Sequence, residues 1–145
     1  MFVRRENFKQ YLKFYPIVAT IIAINLIAFI LTKLPILGDI VFYLGLHVNG
    51  LIADGQWWRI ITSMFLHGGF LHLLFNMFAL FLFGPELERI AGKIRFITVY
   101  LLSGIFGNVA TFVVEHANYA SVGASGGIFG IFGAYAALVY YTRRT

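Results

Sequence analysis

The chain has 145 residues, of which 60% are hydrophobic and only 12% are charged. A soluble domain carries about twice that share of charge, so the composition excludes an ordinary soluble domain and indicates a protein whose solvent is lipid. The net charge of +5 comes from short basic clusters between apolar runs, which indicates membrane topology rather than nucleic-acid binding, and the absence of cysteine excludes disulfides and thiolate metal sites.

Four apolar runs each have close to the ~20 residues that an α-helix needs to cross a bilayer. Backbone groups in lipid must hydrogen-bond within their own segment, which favours helices. The sequence therefore predicts an all-α membrane protein, a polytopic bundle of four transmembrane helices in one domain, residues 1–145. The predicted spans lie near residues 16–32, 64–83, 96–114 and 122–141. We expect Gly84-Pro85 to end the second run.

The basic residues indicate the orientation of these spans. Nine of the eleven precede the first run, separate the second from the third or follow the fourth: Arg4, Arg5, Lys9, Lys13, Arg89, Lys93, Arg95, Arg143 and Arg144. The positive-inside rule then places the N-terminus in the cytoplasm and segments 33–63 and 115–121 outside. We expect a multi-pass protein of a prokaryotic plasma membrane. Its long outer loop, with Tyr43, Trp57 and Trp58, is predicted to lie along the membrane surface.

Three polar side chains in the second run are candidates for chemistry, since polar groups in lipid are costly. His72 and Asn76 are four residues apart and share one helix face. His67 is expected to precede the regular helix, beside Gly68 and Gly69. The alternative is that His72 and Asn76 only hydrogen-bond a neighbouring helix.

The fourth run carries Ser125 near its outer end. Gly126, Gly130 and Ala134 form a stripe of small residues that predicts close packing of this helix at the centre of the bundle. Free amides and the dipole at a helix N-terminus favour a developing anion, so Ser125 is a reasonable nucleophile. Alternatively, its hydroxyl bonds back to a carbonyl of its own helix. Residues 123–127 also fit the Gly-x-Ser-x-Gly elbow of soluble hydrolases, but the strand and sheet that the elbow needs are absent from the predicted fold.

In combination these motifs resemble the rhomboid intramembrane serine proteases, over nearly the whole chain. The matching residues are Trp58-Arg59, then His67, His72 and Asn76 at offsets of five and nine, then Glu88, then Ser125 within GASG. The resemblance implies that Ser125 is the nucleophile and that His72, Asn76 and the Ser125 amide form the oxyanion hole. It implies supporting roles for His67, Arg59, Glu88, Gly123 and Gly126.

One element of the family pattern is missing. The general base of rhomboid proteases is a histidine in the sixth span, within an Ala-His motif, and this chain stops after its fourth predicted span. We therefore expect the N-terminal four-span portion of a six-span core, without the catalytic histidine. His116, nine residues before Ser125, is the remaining candidate for a base, although a short loop does not obviously hold it beside the serine.

The predicted function is an intramembrane serine endopeptidase that cleaves transmembrane or membrane-proximal segments of membrane proteins. Its partners would be transmembrane substrates and membrane lipid, with no nucleic acid, cofactor or metal, and these 145 residues alone are expected to be inactive. The alternative is an inactive rhomboid-like adaptor that binds transmembrane partners. A small transporter or channel is disfavoured because, apart from two histidines, no acidic or basic residue lies deep in the spans.

Overall fold

A computed structural model describes residues 4–144, which form eight α-helices, one 3₁₀ turn and two very short strands. The helices are α1 (Phe8–Phe14), α2 (Pro16–Thr32), α3 (Leu37–Gly45), α4 (Asn49–Ala53), α5 (Arg59–Thr62), α6 (Phe70–Ala91), α7 (Lys93–Val114) and α8 (Ser125–Thr142). Strands β1 (His47–Val48) and β2 (Ala120–Ser121) pair antiparallel, with His47 opposite Ser121. The predicted helical bundle is confirmed.

Within residues 4–144, two helices are each long and apolar enough to cross a membrane, namely α6 and α7. Helices α1 and α2 meet at a bend of 108° and supply a third span if the pair is counted as one. These helices identify an integral membrane protein. Residues 125–142 do form a helix, α8, but its crossing of the bilayer stays a prediction.

The second predicted span begins and ends later than the sequence suggested. A 3₁₀ turn covers Ser63–Phe65, and α6 begins only at Phe70. The helix then passes through Pro85 and ends at Ala91. Gly92 is the one residue between α6 and α7, and its φ of 89° favours glycine. The expectation that Gly84-Pro85 ends this helix is therefore wrong.

The N-terminal segment explains why Pro85 is tolerated inside α6. Proline has no amide hydrogen, so the Phe81 carbonyl, four residues earlier, loses its helical donor. That oxygen instead accepts hydrogen bonds from Arg4 Nη1 at 2.6 Å and from the Tyr11 hydroxyl at 3.1 Å. A second Arg4 nitrogen donates to the Leu82 carbonyl. The freed backbone group is thus satisfied from outside the helix.

The segment between α2 and α6 is folded around a buried arginine. Arg59 donates hydrogen bonds to the carbonyls of Tyr43 (2.7 Å) and Leu46 (2.8 Å) and to Gln56 Oε1 (2.8 Å). Trp58 Nε1 donates to the Leu44 carbonyl at 3.0 Å. Arg59 therefore ties the end of α3 to α5.

Helix α8 packs closely against α7, as the stripe of small residues predicted. A β-carbon added at Gly126 would lie 3.3 Å from the Gly104 Cα, and one added at Gly130 would run into the Ser103 side chain. Ala134, the third residue of the stripe, is partly buried against the hydrophobic core of the bundle. Side chains this small let the two helix backbones approach each other.

Candidate active site

Ser125 is the first residue of α8 and follows a constrained turn. Gly123 has a φ of 132°, a conformation that residues with a β-carbon rarely adopt, and its amide donates to the Ser63 carbonyl at 2.9 Å. The hydrogen bond fixes the turn to the 3₁₀ segment before α6. The fold therefore holds Ser125 at a helix N-terminus, where amide hydrogens have no partner within the helix.

His72 and Asn76 lie against this turn. A β-carbon at position 123 would be 2.7 Å from His72 Cε1, 3.0 Å from His72 Nε2 and 3.8 Å from Asn76 Nδ2. Both side chains project from one face of α6, as their spacing predicted, and both face the backbone two residues before Ser125. Glycine is required at 123 for space as well as for backbone conformation.

His67 lies in the extended segment that precedes α6, as expected, and is only 1% exposed. Its Nε2 lies 2.9 Å from Asn76 Nδ2, and its ring centroid is 5.0 Å from that of His72. Burial, with a smaller repulsion from His72, lowers the pKa of His67 to about 4. A neutral imidazole can accept a hydrogen bond, so His67 turns the amide nitrogen of Asn76 toward itself.

A polar cavity of about 330 Å³ opens on Ser125 between α7 and the start of α8. Its polar lining includes Asn108, Thr111, Tyr119 and Ser121. Asn108 Nδ2 also donates to the Ile60 carbonyl (2.7 Å) and to Ser63 Oγ (3.1 Å). We did not single out Asn108 from the sequence, although an asparagine within an apolar run was a signal that could have identified it.

The other two histidines are not held at this cavity. His116 is exposed, its ring centroid is 6.2 Å from that of Tyr119, and it is not among the residues that line the cavity. His47 is buried in β1, where Nε2 lies 2.5 Å from Asn49 Oδ1. Asn49 Nδ2 in turn donates to carbonyls at the end of α7, including that of Glu115 at 3.1 Å.

Glu88 lies near the opposite end of α6 from His72. Its buried carboxylate accepts hydrogen bonds from the amides of Ile17 (3.0 Å) and Val18 (2.9 Å), in the first turn of α2. Negative charge at a helix N-terminus is favourable. Glu88 therefore joins α6 to α2, and Arg59 joins the end of α3 to α5. No group of three or more His, Cys, Asp or Glu side chains in the range 4–144 is arranged to hold a metal ion.

Comparisons with known proteins converge on one family. Residues 54–145 match the family model described as the Rhomboid domain. Over 144 residues the chain is 44% identical to YdcA of Bacillus subtilis, named as a rhomboid protease, covering 97% of this chain and 71% of YdcA. It is 48% identical over 85 residues to the rhomboid protease GluP of Bacillus subtilis, covering 59% of this chain and 16% of GluP. It is 38% identical over 91 residues to the chloroplastic RHOMBOID-like protein 9 of Arabidopsis thaliana, covering 63% of this chain and 20% of that protein.

Proposed function

The chain belongs to the rhomboid family, and from that premise we propose that it carries the nucleophile and oxyanion hole of an intramembrane serine endopeptidase. Its substrates would be transmembrane or membrane-proximal segments of membrane proteins. The observation that carries the proposal is the position of His72 and Asn76 against Gly123, two residues before Ser125. Nothing in an adaptor requires two hydrogen-bond donors to converge on the turn before a serine.

In the proposed reaction, Ser125 Oγ attacks the scissile carbonyl carbon. The carbonyl oxygen becomes an anion that accepts hydrogen bonds from His72 Nε2, Asn76 Nδ2 and the Ser125 amide. Each donor of this kind is typically worth ~10²- to 10³-fold in rate. The dipole of α8 has its positive end at the same place and adds to this stabilisation.

His67 would act by orienting Asn76. An amide group has two N–H hydrogens, and neutral His67 accepts one of them at 2.9 Å. The other hydrogen remains available on the side that faces Gly123. Protonation of His67 would remove the acceptor and free the amide to rotate.

We propose that the general base is supplied from outside residues 1–145. A serine hydroxyl is a poor nucleophile until a base takes its proton. His67 and His72 are assigned to the oxyanion side, His47 is bonded to Asn49, and His116 does not line the Ser125 cavity. The chain matches only 71% of YdcA, so that relative has residues without a counterpart here.

A three-part assay tests the proposal with a transmembrane substrate. The 145-residue chain alone should not cleave the substrate. The chain co-expressed with the remaining part of YdcA should cleave it, and the same pair carrying Ser125→Ala should be inactive. Fluorophosphonate labelling of Ser125 in the active pair would distinguish a protease from an adaptor. Serine-dependent cleavage by the chain alone would contradict an external base and make His116→Ala the next variant.

We also propose that the N-terminus is cytoplasmic, in a prokaryotic plasma membrane. The hydrogen bonds from α2 to Glu88 bring the N-terminal basic residues and the α6–α7 junction to one end of the bundle. An impermeant thiol reagent added outside should therefore leave Ile90→Cys unlabelled and label Asn118→Cys, which is in the exposed loop before β2. The reverse pattern would contradict this orientation.

A further inference from the structure

An apolar groove lies where the bent helix α1 meets α2 and α6. Its volume is about 440 Å³, and apolar side chains from all three helices line it: Phe8, Leu12, Ala19, Ala23, Leu26 and Phe81. The two alanines are one helical turn apart and leave room between the larger side chains. No residue of the Ser125 site lines this groove, and its one residue from α6, Phe81, lies near the middle of that helix.

The groove has the position and length to hold an acyl chain. From Ala19 to Leu26 it follows α2 for ~10 Å, about two-thirds of one leaflet of the hydrocarbon core. Helix α1 is bent by 108° from α2, so it lies along the membrane surface when α2 crosses the bilayer. Phe8 is 77% exposed and Leu12 43% exposed, as expected for an interfacial helix whose apolar face enters lipid.

Exposed basic side chains lie beside the groove, whose own polar lining is Glu6 and Asn7. Lys9 and Lys13 directly follow the groove-lining Phe8 and Leu12, and Arg5 is four residues before Lys9. Residues 4–15 hold four basic side chains and one acidic side chain, a net charge of +3. Arg4 is engaged with the carbonyls of α6, and the acidic residue, Glu6, accepts a hydrogen bond from the Tyr15 hydroxyl at 2.6 Å.

From this juxtaposition we infer that the groove between α1 and α2 is a binding site for an anionic phospholipid. One acyl chain lies against Ala19 and Ala23, and the phosphate of the headgroup binds Lys9 and Lys13. A zwitterionic lipid has the same acyl chain but no net charge to offer the lysines. The inference is independent of the proposed protease chemistry, because no residue of the Ser125 site takes part.

The test compares two lipids with identical acyl chains on the delipidated 145-residue chain in neutral detergent. Native mass spectrometry should detect one dioleoylphosphatidylglycerol bound preferentially over dioleoylphosphatidylcholine. Each basic residue near a membrane surface contributes about five-fold to anionic lipid binding, so Lys9→Gln with Lys13→Gln should reduce the preference by ~25-fold. Lys33→Gln is the matched control, because Lys33 lies at the other end of α2 over the Phe29 ring, 4.9 Å from its centroid.

Two further arms separate the acyl chain from the phosphate. Ala23→Leu should weaken binding of both lipids by filling the groove, while circular dichroism shows unchanged helix content. Glycerol phosphate, which has no acyl chain, should not compete with the phospholipid. The inference would be overturned if the chain bound the two lipids equally, or if Lys33→Gln reduced the lipid preference as much as the double lysine variant. Full binding to a folded Ala23→Leu variant, or competition by glycerol phosphate, would also overturn it.

Discussion

The polar groups at the two ends of α6 differ in whether they have hydrogen-bond partners. At the Glu88 end, both carboxylate oxygens accept backbone amides, and the carbonyl freed by Pro85 has two donors. At the Ser125 end, His67 Nδ1 is buried without a hydrogen-bond partner, and residues 4–144 supply none to the Ser125 hydroxyl. Paired buried groups stabilise a fold, and unpaired ones cost free energy. The groups that anchor α6 to its neighbours are therefore hydrogen-bonded at the Glu88 end, whereas at the other end the Ser125 hydroxyl stays free to react.

The largest effect should come from Asn76→Ala in the active, assembled protein. Removing one oxyanion donor should lower turnover of a transmembrane substrate by at least about ten-fold, because the developing anion loses a hydrogen bond. The exposed Asn118→Ala is the control and should keep full turnover. Cleavage at the original rate by a folded Asn76→Ala variant would place Asn76 among residues that only join helices.

Glu88→Gln tests the hydrogen bonds at the other end of α6. The new amide nitrogen would face a backbone N–H, so one of two charge-assisted hydrogen bonds is lost, at a cost of about 2 to 3 kcal/mol. Glu86→Gln removes only an exposed ion pair with Arg89 and should cost less than about 1 kcal/mol. Unfolding in detergent measures both variants, and equal losses would contradict the anchoring role of Glu88.

Gly130→Leu probes the packing that holds α8 in place behind Ser125. A large side chain would collide with Ser103 on α7, and overpacking of this kind costs about 1 to 3 kcal/mol. Leu138→Ala, farther along α8, is partly exposed and should lower the unfolding temperature much less. If both variants lost the same stability, the close contact of α7 and α8 would not be what positions α8.

The smallest effect is a coupling energy between Arg4 and Pro85. Arg4→Gln should lower the free energy of unfolding by about 1 kcal/mol, because the Phe81 carbonyl loses a donor. In a Pro85→Ala background the loss should shrink, since alanine supplies the amide that proline lacks. A double-mutant cycle measures the difference, and strictly additive effects would show that Arg4 does not compensate for Pro85.

The features that the sequence predicted correctly depend on local spacing. The shared face of His72 and Asn76 follows from the helical period, and the contact at Gly126 and Gly130 follows from a four-residue stripe. The passage of α6 through Pro85 depended on Arg4, a partner 77 residues away from Phe81. A local pattern does not contain such a partner. For Asn108 the local signal was present, but its partners, the Ile60 carbonyl and Ser63 Oγ, are 48 and 45 residues away and could not be identified from that signal.

The hydrogen bond between Ile17 and Glu88 can form only after both residues have been synthesised. The two residues are 71 positions apart, and a ribosome adds about 5 to 20 residues per second, so the acceptor is made about 4 to 14 s after the donor. During that interval the first turn of α2 has no carboxylate to cap it. Helix α2 must therefore wait for α6 to be made before this hydrogen bond can fix its first turn.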